Sequence, residues 1–242
     1  MSFPDDSLQS IVEPSSSWWK KNDSKTVERG FLVKAFIPYV DQIPNTITPV
    51  GRQEARIHDK AIVKIAPLNI EAPRKREDLP VAAMSLNDKE VWTAYKAKLR
   101  PCLVIGKTRH LVEQKVRRGQ PKNSTAQTYL VAPYYGADRD GTRAGYNPEF
   151  IERVRHVRYP QFIWDKLPLG GPKESILRLD HLQPIGRHHN SFKRTGYKLS
   201  EEAMEIIDDV FNLYLLDKVR EESSLLTYFE LLEEVFYNSG SV

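Results

Sequence analysis

The order of apolar segments along the chain predicts a protein built mainly from buried β-strands. Segments rich in β-branched and aromatic residues recur at residues 30–37, 61–65, 101–106, 128–135 and 161–167. Such segments are typical of strands in a protein core. Residues 175–182 (SILRLDHL) alternate with a period of two, which predicts one continuous strand. A weaker alternation over residues 152–158 also favours a strand.

Helical spacing replaces this pattern after residue 199. Ser200 is a suitable N-cap, and the two glutamates that follow it suit the first turn of a helix. A second helix is expected to begin near Ser223 or Ser224, with an apolar stripe from Leu225 to Phe236. We expect this second stripe either to pack across a dimer interface or to place its acidic helix over a basic groove.

The segments divide the chain into three parts. Residues 1–28 are rich in turn formers and charges, which predicts a poorly ordered segment that Trp18 and Trp19 pin to the body. Residues 29–220 form the body, with a long insertion at about 39–98 that is expected to add a strand and, over residues 85–99, a helix. Residues 221–242 are a helical extension. The expected fold is mainly β with α: an antiparallel barrel closed by C-terminal helices.

The composition is that of a globular protein with an uneven charge. The 242 residues carry a net charge of +4, but eleven acids and two bases from residue 199 onward leave +13 on residues 1–198. This basic body suggests a polyanionic partner, although solvated surface charge explains it equally well. The sequence contains one cysteine and no apolar run long enough to span a membrane. These features predict no disulfide, no cysteine-based zinc site and a cytoplasmic location.

Three segments and a helix start resemble the PemK/MazF family of toxins, which have an SH3-like barrel and cut RNA without a metal. They are RPCLVI from residue 100, YLVAP from 129, SILRLDHLQPI from 175 and GYKLSEEAM from 196. Their order carries the resemblance, which covers about residues 98–216. It implies an endoribonuclease of a toxin–antitoxin system that cleaves single-stranded RNA, needs no cofactor, forms a homodimer and is restrained by an antitoxin protein.

The resemblance also implies catalytic roles for Arg100, Arg178 and Asp180. Arg100 matches the family's active-site arginine, and its guanidinium suits phosphate binding. The alternative is an arginine that ends a helix and pairs with an acid. Arg178 and Asp180 match an Arg-x-Asp pair, in which Asp180 is the base and Arg178 stabilises charge or donates a proton. The alternative is a surface salt bridge. His181 is expected to point to the opposite face and to be structural.

The chain departs from the family at Tyr135, where a threonine or serine is usual. A tyrosine there can donate to phosphate, stack a base or block the site. Basic and aromatic residues elsewhere suit single-stranded RNA, although Phe162 and Trp164 suit the core equally well. The candidate RNA contacts are Tyr134, Tyr135, Arg155, Arg158, Arg187 and His188.

Three functions remain open on the sequence. Arg100 and the Arg178–Asp180 pair favour the endoribonuclease. Tyr135 favours a catalytically inactive barrel that binds nucleic acid or protein. A weaker alternative is a gyrase-poisoning relative that acts through protein contact. No metal site is predicted, because His188 and His189 have no third ligand at a suitable spacing.

Overall fold

The computed structural model describes residues 6–12, 17–54, 56, 61–71, 86, 88–108, 110–120, 125–138, 145–170 and 174–239. Within these ranges the chain is mainly β with a few helices, which confirms the predicted class. The strands are β1 (Trp19–Lys21), β2 (Phe31–Pro38), β3 (Asn45–Arg52), β4 (Ala61–Pro67), β5 (Trp92–Ala94), β6 (Ala97–Lys107), β7 (Thr128–Gly136), β8 (Phe162–Asp165), β9 (Ser175–Arg178), β10 (Gln183–Gly186) and β11 (Lys193–Leu199). The helices are α1 (Pro148–Arg155), α2 (Glu201–Leu216) and α3 (Ser224–Ser239). None of these helices is long and apolar enough to cross a membrane.

The chain divides into two compact units. One comprises Met1–Ala35 with Leu99–Val242, and the other comprises Phe36–Lys98, close to the predicted insertion at 39–98. The main sheet has the strand order β1-β11-β2-β6-β7-β9-β8, and β10 pairs with β7. This antiparallel sheet curls into a half-barrel. Its register places Tyr135 opposite Ile176, so the end of β7 lies against the start of β9.

The second unit contains a three-stranded sheet in the order β4-β3-β5. The sequence predicts β4 but misses β3, which contains a proline; a register shift between Pro49 and Gly51 accommodates it. The helix predicted over 85–99 is wrong for the described part of that range. Residues Trp92–Ala94 pair with β3 instead, so strand pairing overrides the local helical spacing. Residues 85 and 87 lie outside the described residues.

The described residues of the N-terminal segment are more ordered than the sequence predicts. Leu8–Ile11 form a 3-10 turn, and Leu8 and Trp18 are buried in the main core. Strand β1 pairs with β11, so that Trp19 lies opposite Leu199. The prediction that the two tryptophans attach this segment to the body is confirmed. Residues 1–5 and 13–16 lie outside the described residues.

A buried carboxylate joins the N-terminal segment to the sheet. Asp165 is 1% exposed. It accepts hydrogen bonds from Gln9 Nε2 at 2.7 Å, from Trp19 Nε1 at 3.0 Å and from the Tyr134 hydroxyl at 2.8 Å. Burial raises the pKa of Asp165 to about 6, and the three donors oppose this shift only in part.

This raised pKa predicts that Asp165 makes the protein less stable as the pH rises from about 4 to 6. Well below pH 3.8, the ordinary pKa of an aspartate, the carboxyl group is neutral in both the folded and the unfolded chain. Between pH 4 and 6 the carboxyl group ionises in the unfolded chain but stays largely protonated in the folded chain. This difference lowers the free energy of unfolding by up to about 3 kcal/mol. Urea unfolding between pH 4 and 7 measures this loss, and Asp165→Asn should remove that part of the pH dependence. Parallel pH profiles for both proteins would contradict the prediction.

Helix α1 replaces the strand predicted over 152–158. The Asn147 side chain accepts a hydrogen bond from the Glu149 amide at 2.8 Å, and Pro148 occupies the first helical position. Glu149 then pairs with Arg153 one turn later. The prediction is wrong because these start signals for a helix outweigh a weak alternation.

The C-terminal helices confirm their predicted starts but correct the role of the second. Ser200 caps α2, with its side chain accepting from the Ala203 amide at 3.2 Å. The stripe of α3, formed by Leu225, Tyr228 and Leu232, is buried in the core of its own chain together with Leu8. These three side chains are therefore not available to a dimer interface or a basic groove, whereas Val235 of the same predicted stripe is 36% exposed and the side chain of Phe236 lies outside the description.

Candidate functional site

Strands β6, β7 and β9 bring two arginines to one tyrosine ring. The Arg100 guanidinium carbon lies 3.8 Å from the centroid of the Tyr135 ring, and that of Arg178 lies 5.5 Å from the same centroid. Arg100 lies within β6, so the alternative in which it ends a helix is wrong. A guanidinium that stacks on a ring can still use the N–H groups in its own plane for hydrogen bonds.

A turn after β9 places the Asp180 carboxylate beside the Arg178 guanidinium. Strand β9 ends at Arg178, and residues Leu179–His181 form a 3-10 turn, so the continuous strand predicted to residue 182 is wrong. Arg178 Nε donates to Asp180 Oδ1 at 2.7 Å, and Arg178 Nη2 donates to Oδ2 at 2.6 Å. The two side chains therefore lie side by side as predicted, but the turn holds them there.

His181 belongs to the same cluster, which corrects the prediction that it points away. Its Nε2 lies 2.8 Å from Arg178 Nη2, and its Nδ1 lies 2.8 Å from the Tyr135 hydroxyl. An arginine N–H can only donate, so Nε2 accepts and the neutral ring carries its proton on Nδ1. In a 3-10 turn the side chains at positions i and i+3 align, and this relation joins Arg178 to His181. The spacing of three residues between Arg178 and His181 could have indicated this contact, but it has no meaning if the segment is taken as a strand.

We call Arg100, Tyr135, Arg178, Asp180 and His181 the arginine cluster. Burial disfavours the charge of Arg178, but the hydrogen bond and the charge of Asp180 outweigh that effect and raise its pKa. Arg178 is therefore a poorer acid than an ordinary arginine. The raised pKa argues against Arg178 as the proton donor and favours the role of stabilising negative charge.

Two of the candidate RNA contacts have structural roles. Tyr134 is 2% exposed and donates to Asp165, so its ring has no surface to offer a base. Arg155 pairs with Glu174 at 2.7 Å and with Glu152 at 2.8 Å. These carboxylates offset its charge, which makes it part of the scaffold around α1. Burial and ion pairing therefore argue against RNA contacts for both residues.

The remaining basic candidates lie at the surface. Arg158 is exposed just after α1, and His188 is exposed between β10 and β11. Arg187 hydrogen-bonds to Gln127 and lies over the ring of Tyr129, 5.2 Å from its centroid. Tyr129 and Tyr135 are six residues apart on β7, which corresponds to roughly 20 Å. Arg187 is thus near the opposite end of β7 from the arginine cluster, and its contact with RNA stays a prediction.

Comparisons with known proteins give no indication of function, so the geometry of the arginine cluster is the main evidence. No family model matches the sequence, and no curated protein is significantly similar to it. Among the residues that the structure describes, no three histidine, cysteine, aspartate or glutamate side chains are grouped so that they could hold a metal ion.

Proposed function

We propose that this chain is a metal-independent endoribonuclease that cleaves single-stranded RNA, with a barrel of the SH3-like, PemK/MazF type. The observation that supports this function is the arginine cluster. It places two guanidinium groups, a carboxylate, an imidazole and a phenol within hydrogen-bond or stacking distance of one another. Cations for a phosphodiester and groups that exchange protons are what RNA transesterification requires.

In the proposed reaction the Asp180 carboxylate takes the proton of the ribose 2′-hydroxyl. The 2′-oxygen forms a bond to phosphorus, and the bond from phosphorus to the 5′-oxygen breaks. The 5′-oxygen takes the proton of the Tyr135 hydroxyl. The phenolate formed is stabilised by the Nδ1–H of His181 and by the two guanidinium groups, which also stabilise the phosphoryl oxygens. Solvent then returns the proton from Asp180 to Tyr135.

This assignment gives the unusual tyrosine a function. In the family resemblance a threonine or serine stands near this position, and Tyr135 also carries a hydroxyl group. Its hydroxyl lies 2.8 Å from His181 Nδ1, and its ring supports Arg100. The homodimer and the antitoxin partner follow from the resemblance, and they form part of the same proposal together with the cytoplasmic location expected from the sequence.

One observation favours the alternative of a binding module without catalysis. Both oxygens of Asp180 already accept hydrogen bonds from Arg178, so a ribose 2′-hydroxyl would have to compete with the guanidinium for them. A barrel of this kind would bind RNA through its two arginines and release it uncut.

An RNA cleavage assay in EDTA distinguishes these functions, and Arg100→Lys tests the site. We expect the protein to cut mixed-sequence RNA in EDTA and the Arg100→Lys variant to lose most of that activity. Lysine keeps the charge but loses the planar group that stacks on Tyr135 and binds two phosphate oxygens at once. The rate of product formation under single-turnover conditions measures the effect.

The matched control is Arg194→Lys, which makes the same change at an exposed arginine of β11. It should cut RNA at the wild-type rate. RNA that is bound but left intact by the wild-type protein would support the binding module. Full activity of Arg100→Lys at wild-type stability would remove Arg100 from the site.

A further inference from the structure

Four aromatic side chains form a row beside the arginine cluster. The Phe150 ring lies near-parallel to Tyr146 and to Tyr159, with centroid distances of 5.4 and 5.7 Å and interplanar angles of 30° and 25°. Phe162 packs edge-on against Phe150 at 5.6 Å and against Tyr159 at 6.4 Å. We call these four residues the aromatic row.

The aromatic row rests on the core and remains partly accessible to solvent. Phe150, Tyr159 and Phe162 are half-buried, and they pack against a small buried cluster that includes Val154 and Trp164. Tyr146, at the start of the row, is 36% exposed. Rings that served only to fill the core would be buried more completely. The buried cluster therefore fixes the positions of these rings, and their exposed surface is accessible to a ligand.

The row meets the arginine cluster at Arg178. The guanidinium carbon of Arg178 lies 4.8 Å from the centroid of the Phe162 ring. The surface that would hold a phosphate and the surface made of rings are therefore adjacent.

Helix α1 fixes the hydroxyl group of one ring of the row. Arg153 of α1 donates to the Tyr159 hydroxyl at 3.3 Å and pairs with Glu149 at 2.5 Å. Aromatic rings with cations beside them are how proteins bind single-stranded nucleic acids, since every base has a face that can stack. A protein partner would need a larger apolar area than four partly buried rings provide.

We propose that the aromatic row is a stacking subsite for the base of a nucleotide next to the cleaved phosphate. This proposal rests on the proposed function and specifies its substrate as unpaired RNA, because a base inside a duplex cannot reach the rings. Tyr146 is the most exposed ring and makes the outer contact, while Phe162 sets the distance between the base and Arg178. Stacking does not depend on the identity of the base, so the subsite selects for single strands more than for sequence.

The test is the affinity for a fully 2′-O-methylated RNA of mixed sequence, which has no 2′-hydroxyl and cannot be cut. Fluorescence anisotropy should show that Tyr146→Leu weakens binding by roughly 5- to 100-fold, the effect expected for loss of one stacked base. Tyr146→Phe keeps the ring and should bind within about twofold of the wild type. The matched control is Tyr95→Leu, the same change at an exposed tyrosine of the other unit, which should leave binding unchanged.

A second measurement needs no variant and so does not depend on folding. An oligonucleotide of the same length with abasic nucleotides should bind the wild-type protein as weakly as the mixed-sequence RNA binds Tyr146→Leu. Equal affinity for the abasic and the complete strand would overturn the subsite, because no base would then be held. The proposed function would survive that result if the wild-type protein still cut unmodified RNA of the same sequence in EDTA. Failure of the wild-type protein to bind any single strand would overturn both proposals.

Discussion

Replacing Asp180 by asparagine should lower the rate of RNA cleavage by about 10²- to 10⁴-fold, the usual contribution of a general base. Asparagine has nearly the same shape but cannot take the proton of the 2′-hydroxyl. RNA affinity should stay within a few fold, because the change leaves the charges of Arg100 and Arg178 in place. Single-turnover cleavage and equilibrium binding, measured on the same RNA, separate these two effects.

The chemistry of the product ends provides the control for this experiment. Attack by the internal 2′-oxygen must leave a 2′,3′-cyclic phosphate and a 5′-hydroxyl, and Tyr135→Phe should slow the reaction without changing these ends. Products with 5′-phosphates, or a requirement for magnesium, would indicate a metal-dependent nuclease and contradict the mechanism. Undiminished cleavage by Asp180→Asn would assign the base to another residue.

Truncating Leu225 to alanine should destabilise the protein by about 2 to 5 kcal/mol. Leu225 lies on α3, is 0% exposed and packs in the main core with residues of the N-terminal turn. The truncation removes buried methyl groups and leaves a cavity. Neighbouring side chains cannot easily fill this cavity, because α3 and Leu8 pack in the same core. The free energy of unfolding in urea measures this loss.

Leu231→Ala is the matched control, because it makes the same change on the same helix at a side chain that is 56% exposed. Its effect should stay within about 0.5 kcal/mol. Equal effects of the two substitutions would mean that α3 is not docked on the core in solution. That result would reopen the possibility that its stripe faces a second subunit.

The sequence predicts those strands and helices whose own residues form an apolar run or a helix cap. Strands β2, β6 and β7 each contain an apolar run, and α2 begins after a side chain that caps it. Strands β1, β3 and β5 depend on partners that are distant in sequence, so their own residues say little about them. The helix predicted over 85–99 failed for this reason, because β3 supplies the hydrogen bonds that residues 92–94 complete.

The candidate site shows the same division. The bond between Arg178 and Asp180 is local and follows from their spacing, whereas the stacking of Arg100 on Tyr135 depends on the register of β6 and β7. His181 was assigned to the wrong face because a period of two was extended through a 3-10 turn. A turn of three residues leaves almost no trace in hydropathy, and here it decides which side chain meets the tyrosine.

The pairing of early and late segments determines when this protein can fold during its synthesis. Leu8 shares a core with Leu225 and Leu232, and β1 pairs with β11. A nascent chain that ends at α1 contains β2, β6 and β7 but lacks the later segments that cover these strands. The exposed edges of its sheet are expected to bind chaperones. The core closes only after residue 232 has left the ribosome. For the endoribonuclease proposed above, this order would delay activity until the core is complete.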